Sequence, residues 1–330
     1  MSEGRVARYP PGVILFLALG CTGPTDTAAG ETGAVDSGDT AGPIDTADTA
    51  DPVYAVPEHP YLLTFHTCAV DDPCGNPLNH TVQLAGSDDG ESWTVLDWFE
   101  PYVSSVPDVI VRDGILYVYA LPELRRVDLE TYEALPMANV MFQSDEQVFH
   151  ADPSMIIDDD GSLVMFFLEG AKDTDPAGCE ETPCTKRILS ATEVAGSQGT
   201  EFVVDPGSRA EITIEEDGPS HVSDPDIFVG PDGYVLLISR GQSVRVYASD
   251  TLRGEYVPVS NDNLTPGTGG VPSGDYIDGV YWLYASVDAQ GGGGSEIQRT
   301  TLSDITQPLA NDALCLLYTS DAADEVLGGG

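Results

Sequence analysis

Positive charge is scarce in this chain of 330 residues, where 13 Lys and Arg stand against 55 Asp and Glu. The formal charge at pH 7 is −42. A chain so poor in cations repels phosphate backbones, so nucleic acid is excluded as a partner. The same charge makes anionic membrane surfaces poor partners. An acidic surface suits neutral or cationic ligands, but it carries no information about the fold.

Several catalytic motifs are also missing. The sequence has no G-x-S-x-G nucleophile elbow, no H-E-x-x-H zinc motif and no dinucleotide-binding fingerprint. Serine hydrolases, zinc proteases and dehydrogenases therefore receive no support. No segment shows a sustained helical period of apolar residues, which disfavours a helical fold.

Long hydrophobic runs are absent, and the apolar run at residues 13–19 (VILFLAL) is too short to span a bilayer. It follows Arg5 and Arg8 and ends in residues 18–21 (ALGC). This arrangement resembles a bacterial lipoprotein signal, which implies that residues 1–20 are removed and that Cys21 carries the lipid. The alternative is an ordinary signal peptide with an incidental cysteine.

Residues 21–56 are rich in Asp, Thr, Ala and Gly, with Asp-Thr-Ala recurring. Such a segment cannot bury enough apolar surface to offset its ordering entropy, so it is predicted to be a disordered linker. Together with the signal, it predicts a monomer on the bacterial cell envelope that faces the periplasm or the exterior. The membrane contact would be made only through the lipid anchor.

The tail at residues 315–330 needs separate treatment. Residues 315–325 (CLLYTSDAADE) resemble the translation of a transposon-end adapter used in preparing sequencing libraries. That resemblance predicts a non-native tail after Leu314 and a globular domain over residues 57–314. The alternative is a genuine tail.

Four further cysteines form two close pairs, Cys68 with Cys74 and Cys179 with Cys184. An even number beyond a secretion signal predicts disulfides, with pairing inside each short loop. The spacing does not suit a four-cysteine zinc site.

Four segments of the chain are variants of one pattern: a proline, a short apolar strand, a turn closed by glycine, and an apolar strand rich in aromatics. They are residues 106–120 (VPDVIVRDGILYVYA), 152–167 (DPSMIIDDDGSLVMFF), 224–239 (DPDIFVGPDGYVLLIS) and 271–285 (VPSGDYIDGVYWLYA). A third strand candidate follows each one. Four short strands in about 50 residues are typical of a propeller blade.

Residues 57–101 supply a fifth unit. Residues 87–93 (SDDGESW) resemble the Asp-box turn of sialidase-type propellers, in which Asp89 bonds turn amides, Gly90 takes the strained position and Trp93 packs on the blade. The Asp box is structural and predicts no catalytic residue. Five units predict an all-β, five-bladed β-propeller. A β-sandwich is the main alternative, although its strands are not internally similar in groups of four.

The repeated D-P-x-strand-D-G unit resembles the five-bladed glycosidase propellers of the arabinanase, levansucrase and invertase superfamily. The resemblance implies carbohydrate as the ligand and hydrolysis by carboxylates at the rim of a central funnel. The acids that fit by position are Asp152 and Asp224, each directly before a repeat proline. A third carboxylate is expected; the candidates are Glu58, Asp108, Glu169 and Glu216. The superfamily usually has a Glu at a rim position of a later blade, where this chain has Asp224 and Val271.

Four further residues are candidate ligand-binding groups: His150, His221, Asp108 and Asp226. The resemblance also implies that calcium could occupy the central channel near a histidine, whereas the alternative is that both histidines form hydrogen bonds across the funnel. Asp152 and Asp224 could likewise serve only as turn starters before proline. Two functions are therefore expected: a surface-anchored glycosidase-like propeller, or a non-catalytic propeller lipoprotein that binds glycan or protein.

Overall fold

The computed structural model of the chain describes residues 55–68, 79–144, 149–170, 178–179, 181–215, 221–265, 267, 269–288, 295–310, 313–316 and 318–319. Within these ranges the regular structure is β-strand, and no helix has the length and hydropathy of a membrane span. The predicted signal peptide, nearly all of the predicted linker, Cys74 and Glu216 lie outside the described residues.

The strands form five mainly antiparallel sheets, one for each unit in the sequence. The first blade contains Tyr61–Cys68 (β1), His80–Ser87 (β2), Ser92–Val95 (β3) and Tyr102–Val103 (β4). The second contains Asp108–Arg112 (β5), Ile115–Ala120 (β6), Glu123–Asp128 (β7), Glu133–Ala134 (β8) and Ala138–Asn139 (β9). The third contains Met141–Gln143 (β10), Phe149–Ile157 (β11), Leu163–Gly170 (β12), Cys184–Glu193 (β13), Glu201–Val204 (β14) and Ala210–Ile214 (β15).

In each of the last two blades, four strands pair in the order in which they follow one another in the chain. The fourth contains Ser223–Gly230 (β16), Gly233–Ser239 (β17), Val244–Ser249 (β18) and Val257–Pro258 (β19). The fifth contains Gly270–Ile277 (β20), Val280–Asp288 (β21), Ser295–Leu302 (β22) and Cys315–Leu316 (β23). Tyr318–Thr319 (β24) pairs in parallel with β3 of the first blade. Both β23 and β24 lie in the tail for which the sequence predicts a non-native origin.

The innermost strand of each blade is the first strand of its repeat: β1, β5, β11, β16 and β20. Neighbouring inner strands contact each other along the series β1, β5, β11, β16, β20, which arranges the blades in order around one axis. The prediction of a five-bladed propeller is confirmed, and the β-sandwich alternative is wrong.

The predicted turns form for the expected physical reasons. Asp113 and Gly114 both have positive φ, at 54° and 75°, and so do Asp278 and Gly279, at 51° and 87°. Two consecutive positive values define the type I′ turn, whose twist matches the twist of the flanking strands. Glycine is needed at the second position because it takes positive φ without a steric penalty.

The Asp-box turn connects β2 to β3 as predicted. The Asp89 carboxylate accepts hydrogen bonds from the amides of Glu91 and Ser92, both at 2.7 Å. Gly90 has φ of 68°, and the Trp93 side chain is buried. These contacts hold the turn, which agrees with the structural role predicted for the Asp box.

Apolar layers between adjacent blades form the core. One layer joins the second and third blades and includes Ile110, Tyr119, Met155 and Phe167. The predicted disulfide between Cys179 and Cys184 is present at the start of β13. The predicted bridge between Cys68 and Cys74 lies outside the described residues and stays a prediction.

Candidate functional site

In three of the four repeats, the residue directly after the proline bonds the next blade. The Asp108 carboxylate accepts a hydrogen bond from the amide of Met155 at 2.6 Å. The Ser154 hydroxyl accepts one from Ile227 at 3.1 Å, and the Asp226 carboxylate accepts one from Gly274 at 2.8 Å. We call this set of bonds the inter-blade ladder. It satisfies buried amides at successive blade junctions, which an apolar side chain could not do.

The ladder surrounds a narrow channel cavity of about 10 Å³, enough for roughly one water molecule. Asp108, Ser154, Asp226 and Gly274 all line it. Burial raises the pKa of Asp108 to about 7, although bonds from the amides of Met155 and Val109 oppose the shift. Burial and the nearby Asp108 charge hold the pKa of Asp226 well above its usual range. The channel therefore favours protonated carboxyl groups near neutral pH.

The residue directly before each of these prolines has an unusual backbone conformation. Val106, Asp152, Asp224 and Val271 have φ of 46°, 53°, 47° and 45°. In three of the blades the inner hairpin also has a register shift at this point. Residues one to three positions after the prolines line the channel, so these four lie just before the channel-lining part of each inner strand. We call this set of four residues the mouth positions.

Asp152 and Asp224 occupy neighbouring mouth positions, and the Asp152 side chain contacts the backbone of Asp224. The Asp152 carboxylate accepts a hydrogen bond from the backbone amide of Asp224 at 3.1 Å. Burial raises the pKa of the Asp224 carboxyl, and a hydrogen bond with Ser223 only partly opposes the shift. The two acids therefore meet at one blade junction, and the surroundings of the Asp224 carboxyl favour its protonated form.

The first blade has no equivalent acid directly before its proline. Glu58 is exposed, and His59, directly before Pro60, has no positive φ. The His59 ring instead bonds the Asp88 carboxylate at 2.9 Å. The first blade therefore contributes an imidazole–carboxylate pair next to its proline.

The other predicted site residues are engaged in local contacts. Glu169 forms a bidentate ion pair with Arg187. The His150 ring stacks on Phe142 with centroids 3.6 Å apart, and burial lowers its pKa to about 4. His221 is exposed and lies two residues before the start of the fourth blade's inner strand.

These contacts do not assemble a calcium site. Calcium takes six to eight oxygen ligands, whereas the ladder carboxylates Asp108 and Asp226 already accept backbone amides around a space for about one water. Across the part of the chain that the structure describes, no three His, Cys, Asp or Glu side chains form a cluster that could hold a metal ion.

A wider cleft of about 640 Å³ lies on the third blade, lined by Phe142, Glu169, Arg187 and Asp205 among others. Its charged groups are paired within the fold. Glu169 binds Arg187, and the Asp205 carboxylate accepts the hydroxyls of Ser190 and Thr192 at 2.6 and 2.8 Å. The cleft is therefore lined by polar groups that are already paired, whereas Asp152 and Asp224 lie at the mouth positions.

Sequence reasoning missed Ser154, Ser273 and Asp275. The first two have the same position as Asp108 and Asp226, and an alternation of Asp and Ser after the four repeat prolines was visible in the sequence. Asp275 is only 2% exposed, and burial raises its pKa to about 7. An acid within an otherwise apolar inner strand was the available signal.

Comparison with known proteins places the fold in context. No protein-family profile matches the chain, and no curated protein matches it by sequence. An endo-1,4-β-xylanase from Bacteroides thetaiotaomicron matches in structure with a TM-score of 0.50 and 15% identity, covering 78% of this chain and 93% of that one. An inulosucrase from Halalkalicoccus jeotgali bound to kestose matches with a TM-score of 0.49 and 16% identity, over 75% of this chain and 84% of that one. An α-L-arabinofuranosidase from Clostridium thermocellum matches with a TM-score of 0.45 and 14% identity, over 83% and 94%.

At these identities the similarity concerns the fold. The chain has the five-bladed propeller architecture found in glycosidases of this kind, as its repeats predicted. The function of the chain depends on the residues at its mouth positions, because function belongs to the site and not to the fold.

Proposed function

We propose that this propeller acts on carbohydrate at the mouth of its channel and hydrolyses glycosidic bonds with Asp152 and Asp224. The observation that carries the proposal is the contact between neighbouring blades, in which the Asp224 amide donates to the Asp152 carboxylate at 3.1 Å. It brings two acids together where the inner strands of neighbouring blades meet.

The roles follow from the raised pKa of Asp224. Its carboxyl is suited to protonate the leaving oxygen as the general acid. Asp152, whose carboxylate accepts the Asp224 amide, takes the remaining role of base or nucleophile. Glycosidases need such a pair on either side of the scissile bond, and the distance between the carboxyl groups sets the stereochemical outcome.

A screen of neutral oligosaccharides and polysaccharides for released reducing ends tests the proposal. Asp152→Asn and Asp224→Asn should each lower kcat by about 100-fold or more, as expected for a lost general acid or base. Asp232→Asn is the matched control, because Asp232 is an exposed turn acid at the far end of the same blade hairpin. Activity that survives both substitutions would exclude the acid pair as the catalytic centre.

A second candidate function is glycan binding without hydrolysis. It is favoured by the fact that the acids near the mouth are already partnered: Asp152 by the Asp224 amide and Glu169 by Arg187. Affinity electrophoresis on the same glycans separates the two functions. Retarded migration in a glycan gel, without any product release, would support the binding module.

The proposal places the propeller on the bacterial cell envelope, tethered through a lipid on Cys21 and facing the periplasm or the exterior as a monomer. It is supported by the signal-like residues 1–20 and the linker composition that follows. Incorporation of labelled palmitate into the wild type but not into Cys21→Ser would support the anchor, and equal labelling would exclude it.

A further inference from the structure

The four mouth positions keep a side chain where glycine would be less strained. A non-glycine residue with φ near +50° is uncommon, and for a β-branched residue such as valine it is an outlier. Elsewhere the chain uses glycine at ten positive-φ positions among the described residues. Val106 and Val271 therefore have a strained backbone conformation that glycine would relieve. Such strain tends to occur at functional sites.

Packing does not account for Val271. Its side chain is 46% exposed, so it is not part of a described apolar core. Its backbone amide donates to the Ser239 hydroxyl at 3.3 Å, and that bond does not require a valine side chain. The side chain at this position is available to something outside the protein.

The order of the blades gives the two valines a relation to the acid pair. Consecutive blades carry Val106, Asp152, Asp224 and Val271 at the mouth positions. The acids are thus adjacent and each has a valine on its outer side. A mouth of this kind presents charge at its centre and apolar surface at both flanks.

We propose that Val106 and Val271 are specificity-determining residues that flank the acid pair and pack against the C–H groups of a neutral sugar. The inference deepens the proposed function and rests on it. Apolar flanks match the ring faces of a sugar, whose hydroxyls remain free to reach the carboxylates. Two adjacent acids in a chain of charge −42 oppose sugars that carry carboxylates, so uronate-rich glycans are disfavoured.

The experiment compares two valine variants with a matched control. Val271→Gly removes both the side chain and the strain, whereas Val271→Thr keeps the β-branched shape and adds a hydroxyl. The control is Asp278→Gly, which relieves positive φ in the same blade hairpin at an exposed turn. It lies seven residues along the inner hairpin, roughly 23 Å from Val271. Binding is measured by calorimetry with arabino-, xylo- and fructo-oligosaccharides, with oligogalacturonate as the anionic probe.

The wild type should bind at least one neutral probe in preference to oligogalacturonate. Val271→Gly and Val271→Thr should bind that probe roughly 5- to 10-fold more weakly, since each loses part of a valine contact. Asp278→Gly should bind as the wild type does. The Tm of Val271→Gly should equal that of the wild type or exceed it by up to about 4 °C, because relief of strain offsets the added chain entropy.

Three results would overturn the inference. Unchanged affinity in both Val271 variants would remove its role, while loss of hydrolysis in Asp152→Asn or Asp224→Asn would still support the proposed function. A marked fall in the Tm of Val271→Gly would make Val271 a packing residue. Binding of no neutral probe by the wild type would remove the proposed function and this inference together.

Discussion

The Asp108 carboxyl group allows the energetics of the channel to be measured with one substitution. Asp108 is 8% exposed, and burial raises its pKa from 3.8 to about 7. The folded protein therefore binds a proton that the unfolded chain releases, and this contribution to stability is complete below about pH 4. It is lost as the pH rises through about 7. One pKa unit corresponds to about 1.4 kcal/mol, so the loss amounts to at most about 4 kcal/mol.

Asp108→Asn keeps an oxygen that can accept the Met155 amide but removes the titration. The variant should therefore gain stability relative to the wild type as the pH rises from 4 to 8. The gain should approach a few kcal/mol, which is the stability that the wild type loses when Asp108 ionises. A smaller gain comes from Asp226, because the Asp108 charge that raises its pKa is gone. The assay is urea unfolding at half-unit pH steps, with the difference between variant and wild type plotted against pH. The difference isolates Asp108 from carboxylates that titrate elsewhere.

Asp108→Ala serves as the companion variant. It leaves the buried Met155 amide without an acceptor, which should cost about 1–3 kcal/mol in addition to any change in titration. Parallel pH profiles for the wild type and Asp108→Asn would refute the reasoning, because they would mean that the carboxyl titrates alike in the folded and unfolded chains.

Two further substitutions test structural contacts by urea unfolding at constant pH. Glu193→Gln weakens a bidentate ion pair with Arg112 that has little solvent contact, so we expect a loss of about 3 kcal/mol. The control is Glu91→Gln, because Glu91 is an exposed partner of Arg299, and it should change stability by less than about 1 kcal/mol. Equal losses in Glu193→Gln and Glu91→Gln would contradict the burial argument. Asp89→Ala removes the acceptor for two turn amides and should cost about 1–2 kcal/mol, whereas no loss would show that the Asp box does not hold its turn.

The repeats made the architecture readable from the sequence because they encode strand length and turn chemistry locally. A third strand follows the repeated hairpin as predicted, for example Val244–Ser249 (β18) in the fourth blade. The Asp-Gly turns form because glycine at the second position takes positive φ. These features depend on neighbouring residues, so one sequence suffices to find them.

The contacts between blades could not be predicted in the same way. Asp108 and Asp226 appeared as ligand-binding candidates, yet each accepts an amide from the following blade. Glu169 appeared as a candidate third acid, yet it pairs with Arg187. Such contacts depend on how two sheets meet around an axis, and residue type alone does not specify that packing.

Two positions along the chain, from the residue before the repeat proline to the residue after it, separate the candidate chemistry from the scaffold. Asp108 and Asp226 follow a proline, are buried and connect blades through the ladder. Asp152 and Asp224 precede one, lie at the channel mouth and remain partly exposed. Residues two apart on a regular strand point to the same face, so the positive φ directly before each proline is what directs the two sets differently. An acid count alone would therefore merge two groups that the backbone keeps apart, and of these two groups only the mouth pair is partly exposed.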